Sequence, residues 1–209
     1  MNASLKRKIR KFIAPIRRIG LKNKSFTIIS NNCWGGVIYD IYGLKYQTPT
    51  IGLYFQSSDY IRFLKNIKYY LSIEMNAINP EESKYFNQLT NKNTIIGKID
   101  DIEVFFVHYH TANEAIEKWN KRRKRVNFDN IVIKFNDQNN FNVDDLNEYR
   151  KLDFDCKLFF TANKDLIEEK NDYYFKAFKN DGYVVNDIKK SLRVVPCKKI
   201  LNSLKKENV

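Results

Sequence analysis

Glycine and proline are scarce in this 209-residue chain, at seven and four, and histidine occurs only twice. With 43% apolar and 14% aromatic residues, that scarcity excludes long disordered, collagen-like or low-complexity regions and leaves one large folded unit with a sizeable core. Cys33, Cys156 and Cys197 are odd in number and widely spaced, which excludes a disulfide framework. The absence of any CxxC pair beside two histidines excludes a structural zinc site, so no metal centre is expected. No stretch approaches the roughly 20 apolar residues of a spanning helix. The basic amino terminus has no apolar core or small-residue cleavage site behind it, so it does not read as a signal peptide. A cytoplasmic, reduced setting is expected. Neither a dinucleotide-binding nor a P-loop glycine pattern is present, and the cofactor stays unassigned.

The positive charge is uneven. Nine of 37 basic residues lie within residues 1–24, which contain no acid, leaving 28 basic against 24 acidic residues in the remainder. The net charge of +13 therefore belongs mostly to an arm, residues 1–24, preceding a single domain over 25–209. Leu5, Ile9, Phe12, Ile13 and Ile16 follow helical spacing with Lys and Arg on the other face, and Pro15 is expected to kink or interrupt that helix. Such an arm fits attraction to an anionic membrane surface. Packing on the domain or on a second subunit in a homo-oligomer is the other reading. Nucleic acid is not an expected partner, because the body is only mildly basic and the arm lacks aromatic stacking residues.

Along the chain, Phe26–Ser30 predicts a buried strand and residues 37–42 a short helix or irregular segment ended by Gly43. A strand follows Pro49 to Phe55, then a long helix from Ser57 or Ser58 to about residue 75. Pro80 or Glu81 opens a short helix through Leu89. Residues 94–99 and 102–107 read as a hairpin around Asp100-Asp101, and Thr111-Ala112-Asn113-Glu114 as a capping box for a helix running into Lys121–Arg125. A strand over 131–135, a helix from an Asn142 cap through Leu152, a strand over 157–161, an edge strand over 173–178 and a weak basic helix from Lys198 complete the order. The alternation predicts an α/β class: a layered α/β/α domain with a mixed β-sheet.

In such sheets ligands bind beyond the carboxyl ends of strands. Three groups fall there: Asn31-Asn32-Cys33-Trp34-Gly35-Gly36, His108-Tyr109-His110, and Asn136-Asp137. Cys33 reads as a nucleophile if a cation or histidine lowers its pKa, and otherwise as an inert buried thiol. His108 reads as a general base or as a hydrogen-bonded structural histidine. Gly35-Gly36 allows close backbone approach to a phosphate or sugar, or simply a tight turn. Asp137 is a strand-end acid or a loop cap. Arg122 and Arg123, within the run Lys121–Arg125, have the geometry to hold phosphate, although a helix carboxyl terminus also favours such charge.

Asn32-Cys33-Trp34-Gly35-Gly36, Tyr46-x-Thr48-Pro49-Thr50-x-Gly52-Leu53, Asp59-Tyr60, His108-Tyr109 and Trp119-x-x-Arg122-Arg123 together resemble an uncharacterised bacterial family, over roughly residues 20 to 185 and with the basic arm largely outside it. Members of that family often sit in gene clusters for capsule or exopolysaccharide biosynthesis. The resemblance implies an α/β fold and a role near surface-polysaccharide assembly. It implies no particular reaction. The expectation is a transferase acting on an activated sugar or polysaccharide intermediate, a nucleotide-sugar or lipid-linked sugar, peripheral to the inner membrane face. Cys33 and His108 would be catalytic, and Asn31, Asn32, Trp34, Gly35, Gly36, Tyr46, Thr48, Asp137, Arg122 and Arg123 would bind substrate. The alternative is a non-catalytic adaptor docking polysaccharide enzymes at the membrane.

Overall fold

The computed structural model describes residues 3–205, with side chains described outside residues 3–8, 11 and 189. Leu5, Lys6, Arg7, Lys8 and Lys11, which contribute to the pattern expected of the arm, thus have side chains outside the described residues. Chain order runs α1 (Ala3–Arg18), β1 (Thr27–Ser30), α2 (Trp34–Tyr42), β2 (Leu53–Phe55), α3 (Ser57–Lys65), α4 (Ile67–Ser72), β3 (Asn76–Ile78), β4 (Ile95–Ile99), β5 (Ile102–Phe106), α5 (Ala112–Arg123), β6 (Ile131–Asn136), α6 (Val143–Lys151), β7 (Cys156–Thr161), β8 (Asp172–Tyr174), α7 (Asp187–Val194) and α8 (Cys197–Ser203).

The class is α/β, and the described strands sort into two sheets. One is parallel, in the order β1-β6-β7-β8; the other is antiparallel, in the order β2-β5-β4-β3. The parallel strands are apolar on both faces, as helices on each side require. Ile28, Val132, Leu158 and Phe160 meet Trp34, Ile38 and Tyr39 of α2 and Ile200 and Leu201 of α8. Ile29, Ile133, Phe135 and Phe159 meet Tyr60 and Phe63 of α3, Trp119 of α5 and Leu146 and Tyr149 of α6. Leu53, Phe55, Val104 and Phe106 of the antiparallel sheet join this second core, while its other face packs Ile96 and Phe105 against Leu89. The layered arrangement follows directly from the two-residue alternation along β6 and β7.

Three buried tyrosines tie helices to the parallel strands. Tyr60 Oη lies 2.9 Å from the carbonyls of Ile29 and Lys134, bridging β1 and β6. Tyr149 Oη lies 3.0 Å from the carbonyls of Ile133 and Leu158 and accepts from Leu158 N, bridging β6 and β7. Tyr39 Oη donates to Phe26 O and accepts from Ile28 N.

Several local expectations change. The helix α1 continues through Pro15, which is exposed near its end. The helix α2 starts at Trp34, so Trp34-Gly35-Gly36 forms its first turn instead of a polar loop. The long helix expected to residue 75 breaks at Asn66, whose backbone (φ −132°, ψ 43°) is not helical, and Asn76–Ile78 is an edge strand. Residues 80–89 form two 3₁₀ turns, the first closed by Glu82 reaching the Asn79 amide. The strand expected over 173–178 is shorter, Asp172–Tyr174, and yields to a 3₁₀ turn. The hairpin around Asp100, the Thr111 and Asn142 caps and the strands at 131 and 157 form as the sequence indicates.

Replacing Tyr149 with Phe removes the hydroxyl shared by two buried carbonyls and one amide. The expected cost is about 1–3 kcal/mol, read from urea unfolding. A change below about 0.5 kcal/mol would mean that the hydroxyl does not hold β6 to β7.

Candidate functional site

The turn after β1 is held by its own polar side chains. Ser30 Oγ donates to Asn32 O at 2.6 Å and accepts from Gly35 N at 3.1 Å. Asn32 Oδ1 accepts from Trp34 N at 3.1 Å, closing the first turn of α2. Gly35 and Gly36 are buried; a Cβ on Gly35 would fall 3.0 Å from Ile28 Cγ2, and one on Gly36 3.0 Å from Ile51 Cδ1. Both glycines thus let α2 lie close to β1 and the Ile51 segment. Neither opens a backbone cradle to solvent. Trp34 is buried edge-on to Phe160 at 5.2 Å.

Beside this turn lies a polar network that joins the expected Asn31 and Asn32 to Lys134 and Asp187, which the sequence did not single out. Lys134 is fully buried in the middle of β6, and its Nζ donates to Asp187 Oδ2 at 2.5 Å, Asn32 Oδ1 at 3.1 Å and Asn31 Oδ1 at 3.3 Å. These partners match the three protons of an ammonium group. Asn31 Nδ2 donates to Asn136 Oδ1 at 2.7 Å, Asn32 Nδ2 to Asp187 Oδ2 at 2.9 Å, and Asn136 Nδ2 to Gln138 Oε1 at 2.9 Å. Burial pulls the lysine pKa down, and the Asp187 carboxylate works against that pull. The available signal was a lysine inside the apolar run Ile131-Val132-Ile133-Lys134-Phe135. Asp137, by contrast, faces backbone: it accepts from Ala162 N and Val184 N, both at 2.7 Å, and burial raises its pKa.

On the other side of Cys33 is the segment from Thr48 to Leu53. Thr48 is buried and bonded to Thr50, whose Oγ1 meets the Ser30 amide of β1. Cys33 Sγ donates to Leu53 O at 3.6 Å. Gly52 has φ +69°, and a Cβ there would fall 3.2 Å from His108 Cβ and 3.0 Å from the Tyr109 ring, so both conformation and space favour glycine. Tyr109 Oη donates to Ile51 O at 2.6 Å and accepts from Arg122 Nη1 at 2.5 Å. The Arg122 guanidinium also stands 5.2 Å from the centre of the Tyr46 ring. His108 is exposed at the rim. Cys33 and His108, distant in sequence, therefore both border Gly52-Leu53, and Arg122 is joined to Ile51 through Tyr109.

Arg123 does not join them. Its Nη1 donates to Leu71 O at 2.6 Å and Ile73 O at 2.5 Å, closing the carboxyl end of α4. Trp119 is a core residue whose ring is tilted against Phe63, 6.2 Å between centres. Burial, with Asp187 adding to it, pushes the Cys33 thiol up to about 11. At neutral pH that thiol is protonated. A broad cleft of about 1490 Å³ opens at the amino ends of the parallel strands, lined by Lys65, Lys68, Phe128, Asp155, Lys170 and Lys199 among others. None of the sequence-indicated site residues lines it. Among the described residues, no three His, Cys, Asp or Glu side chains are grouped to hold a metal ion, and no helix is long and apolar enough to cross a membrane.

Fold and site together define an α/β protein with a polar strand-end centre built on a parallel sheet and completed by loops of an antiparallel one. Residues 4–206 match the family described as Domain of unknown function (DUF1919), and the chain belongs to that family. The match includes most of the basic arm. An uncharacterized protein of Haemophilus influenzae (strain ATCC 51907 / DSM 11121 / KW20 / Rd) is 30% identical over 184 residues, 88% of this chain and 84% of that protein.

Two outcomes follow. Asp187→Asn leaves Lys134 buried without its counter-charge and is expected to cost about 3–5 kcal/mol in urea unfolding; a loss under about 1 kcal/mol would remove the pair from the structural centre. The thiols of Cys33, Cys156 and Cys197 are raised from 9.0 to about 11, 11 and 12 by burial. Between pH 9 and those values the unfolded thiols lose protons that the folded ones keep. Stability must then fall as pH rises, by at most about 1.4 kcal/mol per unit per thiol. Melting temperatures from pH 8 upward check this; a flat profile contradicts it.

Proposed function

We propose that the protein is a transferase acting on an activated sugar or polysaccharide intermediate in bacterial surface-polysaccharide synthesis, at the cytoplasmic face of the membrane. The observation that carries this reading is that Cys33 and His108 both border Gly52-Leu53, with Arg122 joined to the neighbouring Ile51 through Tyr109. The place is where α/β sheets bind ligands. The resemblance to proteins of capsule and exopolysaccharide gene clusters supplies the substrate class.

In this reading Arg122, held over Tyr46 and against Tyr109, faces the phosphate of the donor. The exposed imidazole of His108 accepts the proton of an acceptor hydroxyl. The acceptor oxygen bonds to the transferred carbon, the bond from that carbon to the donor phosphate oxygen breaks, and the phosphate leaves with its charge beside Arg122. Cys33 lines the reacting end; its thiol, pushed up to about 11, serves as the nucleophile of a two-step route only when a base such as His108 takes its proton: sulfur then bonds to the transferred carbon as the bond to the donor phosphate oxygen breaks, and the acceptor oxygen displaces the sulfur as thiolate. Asn31, Asn32 and Lys134 keep the turn in place. Arg123 and Asp137 contribute through the fold.

A second reading is a non-catalytic adaptor for polysaccharide enzymes. It is favoured by the protonated thiol and by a lysine whose three protons are all taken.

The two separate on purified protein with labelled nucleotide-sugar and lipid-linked donors. His108→Ala and Cys33→Ala should each lower transfer by about 100-fold or more, and Arg122→Lys should raise the donor KM. Transfer that survives both alanine variants removes the catalytic assignment, and no transfer with any donor favours the adaptor.

A further inference from the structure

The helix α1 docks on the protein with one face and leaves another bare. Ala14 is buried, and its Cβ sits 2.9 Å from where a Cβ on Gly43 would be, so α1 approaches the end of α2 as closely as a glycine permits. The chain after the helix is fastened to α8. Lys198 Nζ donates to Ile19 O at 2.9 Å, Asn202 Nδ2 to Gly20 O at 2.8 Å, and Lys22 N to Asn202 Oδ1 at 2.7 Å. Residues 14–22 are therefore fastened to the fold.

Ile9, Phe12, Ile16 and Ile19 recur at steps of three and four residues along one stripe of the arm. They are 41%, 85%, 68% and 72% exposed. Four large apolar side chains together on a monomer surface mark a contact site. The segment around them, residues 1–24, holds nine basic residues and no acid.

We infer that this stripe is a membrane-docking surface, in which Phe12, Ile16 and their neighbours enter the acyl boundary of a bilayer while the surrounding lysines and arginines meet anionic headgroups. It deepens the part of the functional reading that places the protein at the membrane. The charge selects the occupant. A second copy would bring the same excess of positive charge in its sequence against this one, and a nucleic acid would satisfy the cations but leave the apolar stripe in water. An anionic lipid surface satisfies both at once. Because α1 packs on α2 and the chain behind it is fastened to α8, docking fixes the orientation of the whole protein on the bilayer.

The test uses the full chain and measures binding without any transfer assay, so it stands or falls separately from the enzyme reading. Sedimentation with vesicles of phosphatidylcholine plus phosphatidylglycerol should carry the protein down, vesicles of phosphatidylcholine alone should not, and added salt should release it. Phe12→Ser with Ile16→Ser should weaken partition by about tenfold or more. In a separate Phe12→Trp variant, tryptophan emission should move to shorter wavelength on anionic vesicles, which checks burial of the stripe directly. Equal binding by the double variant, or an unshifted emission, overturns the proposal. So does a vesicle-independent dimer that Phe12→Ser converts to monomer, which would make the stripe an interface between copies.

Discussion

The buried pair Lys134–Asp187 is the constraint on which the carboxyl end of the parallel sheet depends. An ammonium group in the middle of a central strand is tolerable only if every proton is matched and a counter-charge is near. Asn31 and Asn32 supply two acceptors from the end of β1, and Asp187 supplies the charge from the start of α7. One side chain of β6 thus fixes the end of β1 and the entry of α7. The same contacts set the path of the chain into α2 and with it the position of Cys33. Removing the carboxylate would therefore disturb the site and the fold together.

From that centre the rest of the site follows by close packing. The first turn of α2 lies against β1 and Ile51 because glycines occupy the contacting positions. The Ile51–Leu53 segment then meets His108 and Tyr109 from the end of β5, and Tyr109 in turn holds Arg122. The antiparallel sheet shares the core of α3 and α5 with the parallel one, which brings its loop to the same edge.

Much of this was legible in the residues. Apolar runs at 26–30, 131–135 and 157–161 announced strands, and Thr111 and Asn142 announced helix starts. The two-sheet division was not legible, because strand pairing depends on which edges meet and apolar alternation looks the same in either sheet. The breaks at Asn66 and the 3₁₀ turns at 80–89 replace longer helices because tertiary packing overrides weak helical preference. At the site, the asparagines, cysteine and histidine stood out by their strand-end positions. Lys134 and Asp187 did not, since a lysine in a strand and an acid in a late polar segment acquire meaning only once 53 residues of separation are folded together. Arg122 and Arg123, adjacent in sequence, part company on the helix: one reaches Tyr109 and the other the end of α4.

We propose that ligands are taken at the carboxyl ends of the parallel strands and not in the broad cleft at their amino ends. Amide hydrogen exchange with and without saturating sugar-nucleotide donor tests it most directly. Slowed exchange is expected in residues 31–36, 51–53 and 108–110. Protection confined to residues 64–69, 128–131 and 199–205, which line the amino-end cleft, would contradict it.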